Sequence, residues 1–522
     1  MSKFRSVFKI ILVWLFFLLL FLGIHSLKNG FWSSDDPYYH AKHSYLIAQT
    51  GNLTLVEPWL EFHFFKTAPT DPWWGYHVLM AGLIHFFGIV WGAKVLTALL
   101  ASLFFAVFYL LLLTFDIKKP LLWTLVFFSS SSFFEYRVFL ERPFLVALVI
   151  LPVAFWLIIK GKNIWLFFLA ILFALLYNLA PLIVVISLLF LLVKFYTERK
   201  FDFKPLLFGT LGVIVGIILH PFSFNYLKVM YVHFFLVVFL KLFGIDLGIG
   251  NEVQVQSFQS FATSNFLLLA GYVVACSIFI AFKKYRKDLV LVYLFVLSTF
   301  WFLVTLLVPR GGDFWVPFAG LFIFYLFGIF SKSEEYNEIK IFIKARVNLK
   351  LLLPIIFTVF LVLMLNNFSQ VANYVFETNK SSVKNLYYEQ ANNWLRQNTS
   401  KGEIVFYNDW SYWPLMFFYN DYNHYVLGMD PTFLYQYDKK LFWLWSNISR
   451  RGMFCENSDG CLLSNPRQKQ SLIKAAIKDK FRASYVFVEN NEEDSLLQVL
   501  TNRKQDFVKV YANQGVIIFR LK

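Results

Sequence analysis

The sequence predicts a polytopic α-helical membrane protein with a C-terminal extracytoplasmic α/β domain. Three observations predict it. Apolar runs of membrane length or slightly less recur from Ile10 to Leu365. Basic residues gather in short loops between those runs, as they do in cytoplasmic loops. Beyond Leu365, charges, Asn and Gly return, and residues 380–522 have the length of one ordinary domain. Composition agrees: of 522 residues, 58% are hydrophobic and 15% charged, which no ordinary soluble domain matches. The formal net charge of +16 would suggest nucleic acid in a soluble chain. Here the loops carry much of it, so no nucleic-acid partner is expected.

The chain begins with Lys3, Arg5 and Lys9 ahead of the apolar run 10–27. No small-residue cleavage site follows, so the run is expected to be a retained anchor with a cytoplasmic amino terminus. The basic clusters at 118–119, 160–162, 194–204, 283–287 and 332–350 are assigned to the inside, which fixes the parity of everything between them. Runs 95–115, 121–132, 144–159, 164–179, 182–195, 206–219, 265–282, 289–308, 314–330 and 351–365 then complete about eleven crossings. Parity leaves out 76–90 and 226–243, whose aromatics with scattered His and Lys suit helices lying along the outer interface. If both crossed, the count would be about thirteen. The expected division is a transmembrane domain over 1–370, with a long first external loop at 28–94, and a soluble domain over 371–522.

Within the soluble part, period-two apolar runs predict strands at 403–407, 424–427, 485–488, 507–511 and 516–521. Helices are expected near 382–397, 439–448 and 471–480. Their alternation indicates an α/β sandwich. Cys455 and Cys461 bracket a Ser-Asp-Gly turn, where an extracytoplasmic loop would permit a small disulfide; the three cysteines show no metal-ligand spacing.

The most informative stretch is Trp32-Ser33-Ser34-Asp35-Asp36-Pro37-Tyr38-Tyr39-His40, placed where the first crossing leaves lipid. A carboxylate there can meet a lipid-linked phosphate without entering hydrocarbon, which costs about 2.5 to 3.5 kcal/mol per charge at the bilayer centre. The simpler reading makes Asp36 an N-cap and Pro37 the first residue of a helix running to about Gln49. Both readings are compatible, and on that helix Asp36, His40 and His43 share one face with Tyr39. The tryptophans near Glu57 and in 71–77 read first as interface anchors.

Further ionisable residues gather at the expected external ends of the crossings. Glu135, Arg137, Glu141 and Arg142 lie in one short loop, where mutual pairing of Glu135 with Arg137 and of Glu141 with Arg142 is the plain alternative to a site. His220-Pro221 ends a crossing. Glu252 lies in a later external loop, where a solvated acid is the plain reading. Arg310-Gly311-Gly312-Asp313 forms a tight external turn. Its guanidinium would suit two-pronged phosphate binding as well as snorkelling to headgroups. Nucleotide-binding glycine loops, nucleophile elbows and zinc-protease helices are absent from the sequence.

This ordering resembles the GT-C superfamily of membrane glycosyltransferases, which includes oligosaccharyltransferase catalytic subunits, protein mannosyltransferases and aminoarabinose transferases. Asp35-Asp36-Pro37-Tyr38-Tyr39-His40 resembles the family's first acidic motif, and Glu135 and Glu141 fall where the second would be. Arg310 and the segment after it resemble the one whose arginine is implicated in lipid-phosphate binding. Glu252 falls in the loop that bears a functional glutamate in oligosaccharyltransferases. Two departures stand out. The Trp-Trp-Asp motif is replaced by Asn408-Asp409-Trp410-Ser411-Tyr412-Trp413-Pro414, and the second loop lacks the Asp-x-Asp form.

The resemblance implies an enzyme of the glycosyltransferase class (EC 2.4), using a sugar on polyprenyl phosphate or diphosphate at the extracytoplasmic face. The acceptor would be a protein, glycan or lipid. Asp36, with Asp35 and Glu135, is expected to be catalytic. Arg310, Arg137, Arg142, His220, Glu252, His40 and Trp410 are expected to contact substrate, and Mg²⁺ or Mn²⁺ would sit at Asp36, Glu135 and Glu141. A transporter or flippase of lipid-linked substrates, or an inactive scaffold of the same architecture, is the competing expectation. A transporter predicts charges within the spans and repeat symmetry, neither of which the sequence displays.

Overall fold

The computed structural model describes the chain except for residues 1, 34–35, 237–239, 241–242, 246, 251–253, 255, 347–348, 381 and 458–465. Asp35, Glu252 and Cys461, singled out above, therefore lie outside the described residues. The chain forms two compact units. One comprises Met1–Asn29, Lys94–His220 and Asn251–Glu377, the other Gly30–Ala93, Pro221–Gly250 and Thr378–Lys522.

The first unit is helical, and each apolar run assigned to a crossing contains a helix, although 121–132 is interrupted after Phe128 and 164–179 after Leu176. Among the described residues, Val7–Ser26, Trp74–Thr114, Leu289–Leu307 and Pro309–Phe330 are long and apolar enough to cross a membrane. A fifth span results if Phe258–Ser264 and Phe266–Ala281, bent by 94°, count as one. The apolar helices Phe144–Ile159, Asn163–Leu176, Lys204–Leu219 and Phe357–Gln370 are shorter. At about 1.5 Å per residue these do not individually match the roughly 30 Å of hydrocarbon, so length alone does not settle the number of crossings. Asn163–Leu176 and Lys204–Leu219 pack so closely that a Cβ on Gly212 would lie 2.4 Å from the Phe167 carbonyl oxygen. One on Gly216 would lie 2.6 Å from the Ala174 Cβ. Small residues at both faces permit this approach, as is common between helices in lipid.

Residues 76–90 form the first part of Trp74–Thr114, which is broken at Gly88 (φ 77°, ψ 169°). A Cβ on Gly92 would come within 2.6 Å of the Ile84 backbone. Eight positions apart on a straight helix these residues would be about 12 Å distant, so the chain doubles back here. The break falls within the 76–90 run, ahead of the run at 95–115.

The second unit is built on a five-stranded sheet: β1 (Ile404–Tyr407), β2 (His424–Tyr425), β3 (Ala483–Glu489), β4 (Phe507–Ala512) and β5 (Val516–Leu521). The order is β2-β1-β3-β5-β4, parallel from β2 to β3 and antiparallel beyond. All five expected strands are present. Val405, Phe406, Val486, Phe487 and Ile518 are fully buried on it, and Trp445 of the helix Lys439–Arg451 donates its indole N–H to the Tyr407 carbonyl at 2.9 Å.

Beyond β2, residues 59–62 extend the sheet. The Tyr425 N–H donates to Trp59 O at 2.7 Å, and the N–H groups of Glu61 and Phe62 donate to the Tyr425 and Val426 carbonyls at 2.9 and 3.2 Å. A segment expected in an external loop thus seals a sheet edge that would otherwise present unpaired backbone groups. Nearby, the helix Asp36–Thr50 packs on the helix Trp413–Tyr419. Tyr39 lies 5.1 Å from the Trp413 ring, Lys42 pairs with Asp421 at 3.1 Å, and Asn385 donates to the Tyr38 hydroxyl at 2.6 Å.

Candidate functional site

In the second unit, Asp36 opens its helix and is half-buried. One and two turns on, His40 and His43 are buried, as their shared face anticipated. They enter a chain of buried polar contacts. His40 Nδ1 shares a hydrogen bond with His77 Nε2 at 2.8 Å, His77 Nδ1 lies 2.7 Å from Asp71 Oδ2, and His43 Nδ1 bonds Glu57 Oε1. His43 Nε2 lies 3.4 Å from Asp71 Oδ2 without the alignment of a hydrogen bond. Burial alone would lower the His43 pKa, but the Glu57 and Asp71 carboxylates override it and raise it to about 10. Burial likewise opposes ionisation of Asp71, yet the flanking imidazoles hold its carboxyl well below the ordinary range.

Asp71 fixes the start of the next helix by accepting from the Trp73 N–H at 3.0 Å, so one carboxylate both caps and joins the network. His43, Asp71 and His77 offer ligand atoms within 4.8 Å of one another and could hold a metal ion. The expected metal residues, Asp36, Glu135 and Glu141, are not in this group. Sequence reading missed Glu57, Asp71 and His77 because it took 71–77 for its tryptophans. The discarded signal was two imidazoles one turn apart on a helix, followed by an Asp-Pro helix start with a histidine six residues on.

In the first unit, the segment 129–142 meets the turn at 309–313. Arg137 Nε and Nη2 donate to Asp313 Oδ1 and Oδ2 at 2.8 and 2.7 Å, and its guanidinium lies 4.4 Å from the Phe144 ring centroid. The turn Pro309–Gly311 leads directly into the helix Gly312–Phe330. A Cβ on Gly311 would clash with Thr305 N at 2.7 Å, and one on Gly312 with the Phe133 ring at 2.8 Å, so both glycines are demanded by close approach. Ser131 caps the helix Ser132–Val138 and donates to Asn265 Oδ1 at 2.6 Å, while Asn367 donates to Ser129 O at 3.0 Å.

Glu135 is 1% exposed, and neither carboxylate oxygen has a hydrogen-bond partner among the described residues. Burial pushes its carboxyl up to about 8. Glu141 lies 3.5 Å from His25 Nδ1, in a neighbourhood where Lys94 Nζ donates to the His25 and Lys28 carbonyls. Arg137 therefore pairs with Asp313 rather than with Glu135, and Glu141 approaches His25. Asp313 lies 176 positions from Arg137, beyond the reach of local pattern.

Of the other expected contacts, Arg310 is exposed on its turn, while Arg142 and His220 are buried. The Trp410 indole N–H donates to Gly248 O at 3.1 Å. His40 is committed to the buried network rather than exposed.

The helical unit joined to an α/β unit has the fold of the GT-C membrane glycosyltransferases, and the chain is built as a multi-pass membrane protein. It is similar to the Archaeoglobus fulgidus oligosaccharyltransferase AglB solved in complex with an inhibitory peptide and a dolichol-phosphate, with TM-score 0.56 and 11% identity over 93% of this chain and 70% of that one. Against the A. fulgidus enzyme tethered to an acceptor peptide containing the NVT sequon, the TM-score is 0.59 at 12% identity, covering 100% and 75%. ArnT from Cupriavidus metallidurans in the apo state gives 0.53 at 12% identity, covering 99% and 98%. No protein-family model matches the chain, and no curated protein matches it.

Proposed function

We propose that the chain is a membrane glycosyltransferase that takes a sugar from a polyprenyl-phosphate or polyprenyl-diphosphate donor at the extracytoplasmic face. The carrying observation is fold likeness along essentially the whole chain to enzymes of this type, one solved with a dolichol-phosphate and one with an acceptor peptide. About eleven crossings, a cytoplasmic amino terminus and an extracytoplasmic α/β domain belong to this reading. Its acceptor is a protein, glycan or lipid.

Transfer breaks the bond between the sugar's anomeric carbon and the phosphate oxygen, which leaves with the electron pair. A bond forms from the acceptor to that carbon, and the acceptor gives up a proton. Asp36, at the first position of its helix, takes that proton. A positioned base typically contributes 10² to 10⁴ in rate. Arg310, exposed on a turn fastened by the Arg137–Asp313 pair, holds the departing phosphate. Arg137 thus acts as a positioning residue, while Arg142, His220, Trp410 and Glu252 remain candidate substrate contacts.

The fold family also implies Mg²⁺ or Mn²⁺. Glu135, whose buried oxygens have no hydrogen-bond partner among the described residues, fits such a ligand, with Glu141 of the same segment beside it in sequence. Bound there, the ion would supply charge neutralisation for the phosphate.

The test is complementation of a deletion strain, read by mass spectrometry of its glycans and lipid-linked sugars. The wild-type chain should restore a glycan that Asp36→Asn, expressed equally, does not. Restoration by that variant would refute the assignment. Loss of donor turnover without any glycan change would favour a flippase or scaffold.

A further inference from the structure

We infer that His43, Asp71 and His77 form a Zn²⁺ site that locks the segment 36–77, separate from the Mg²⁺ or Mn²⁺ ligands named above and independent of the transfer reading. Three imidazoles and two carboxylates, each 4% exposed or less, meet where the helix Asp36–Thr50, the segment 51–73 and the start of Trp74–Thr114 converge. Such a group is costly to bury without a compensating role.

The contacts set the nitrogens correctly for a metal. Glu57 Oε1 accepts, so His43 Nδ1 carries the donated proton and Nε2 is the ring nitrogen left for a ligand bond. That Nε2 is fully buried, has no hydrogen-bond partner, and lies 3.4 Å from Asp71 Oδ2. Two ligand atoms on a tetrahedral zinc lie about 3.3 Å apart, given bonds of about 2.0 to 2.1 Å. The third donor comes from His77, whose Nδ1 lies 2.7 Å from Asp71 Oδ2 in a group whose ligand atoms all lie within 4.8 Å of one another.

Behind the ligands stand the partners that metal-binding histidines usually have. Glu57 backs His43, and His40 backs His77. Two imidazoles and one carboxylate select zinc over magnesium or calcium, which prefer all-oxygen shells, and magnesium also keeps several waters that a buried site excludes. A water would take the fourth position. The expected consequence is a clasp joining helix, loop and helix, so that the helix presenting Asp36 is held from behind.

The test uses the full-length protein in detergent, stripped with a chelator and then titrated with Zn²⁺ alone, read by elemental analysis and thermal unfolding. One equivalent should bind and raise Tm. His43→Gln, Asp71→Asn and His77→Gln should each abolish that equivalent, and Glu57→Gln should weaken it by about 10 to 100-fold. Asp36→Asn and His63→Asn should leave it intact. The proposal fails if stripped wild-type protein takes up no zinc or gains no Tm. It also fails if the three ligand variants, eluting as folded monodisperse protein, bind as wild type does. Loss in Asp36→Asn alone would move the ion to the acidic motif. Because no readout involves sugar transfer, failure here leaves the proposed activity untouched, and the converse holds.

Discussion

Arg137 and Asp313, 176 residues apart in sequence, meet side-on through two hydrogen bonds of 2.8 and 2.7 Å in a buried setting. Breaking such a pair by removing one partner strands a charge, at a cost of about 3 to 5 kcal/mol. Arg137→Met or Asp313→Asn should therefore lower the melting temperature strongly. The double replacement Arg137→Met with Asp313→Leu should recover most of it. Equal losses in single and double variants would show that the pair does not hold the turn.

Glu135 should make stability fall as pH rises through neutrality. Its folded pKa of about 8 lies above the ordinary 4.5, so the folded chain holds the extra proton between those values. This contribution is full below about 4.5 and disappears as pH rises through 8. Wild-type protein should lose Tm between about pH 5 and 8 relative to Glu135→Gln, which cannot titrate. Parallel curves for the two proteins would contradict the buried, unpartnered carboxyl.

The loop beside β2 should loosen in acid. Burial lowers the His63 pKa from 6.5 to about 3, and its neutral Nδ1 accepts from the Phe65 N–H at 3.1 Å. Its stabilising contribution is present above 6.5 and is lost as pH falls towards 3. Glu61, lowered to about 2 chiefly by its hydrogen bond from His424, adds a second loss between about 4.5 and 2. Hydrogen exchange over residues 59–66 should accelerate from pH 7 to 4, once corrected for intrinsic rates. His63→Asn keeps the acceptor without the titration and should flatten that rise.

The reversal at Gly88 should tolerate no side chain. Its backbone occupies a region nearly exclusive to glycine, so Gly88→Ala should cost about 1 to 3 kcal/mol. Gly92→Ala, pressed on the Ile84 backbone, should cost about 1 to 3 kcal/mol by overpacking. Thermal scans in detergent would measure both, and a neutral Gly92→Ala would mean the two arms separate in solution.

Elements whose signal is local were legible in the sequence. Alternating runs such as 485–488 and 516–521 became β3 and β5, and the 144–159 run became a helix with the same bounds. What escaped was pairing at a distance. Nothing in the neighbourhood of Arg137 points to Asp313, and nothing around Trp59 announces a backbone partner at Tyr425. The buried histidines were half legible. His40 and His43 follow from helical spacing, but Asp71 and His77 sat among tryptophans that suggested a surface role.

The borrowed strand at 59–62 imposes an order on biogenesis. Trp59 is synthesised 362 residues ahead of Asp421, whose carbonyl accepts its indole N–H at 2.7 Å. Through most of translation the early segment must wait without its hydrogen-bonding mate, as a raw edge open to chaperones, proteases or a misplaced neighbour. Expressing residues 378–522 alone would yield a sheet missing its outermost rung, so a well-behaved soluble fragment needs the early segment supplied in trans or grafted on.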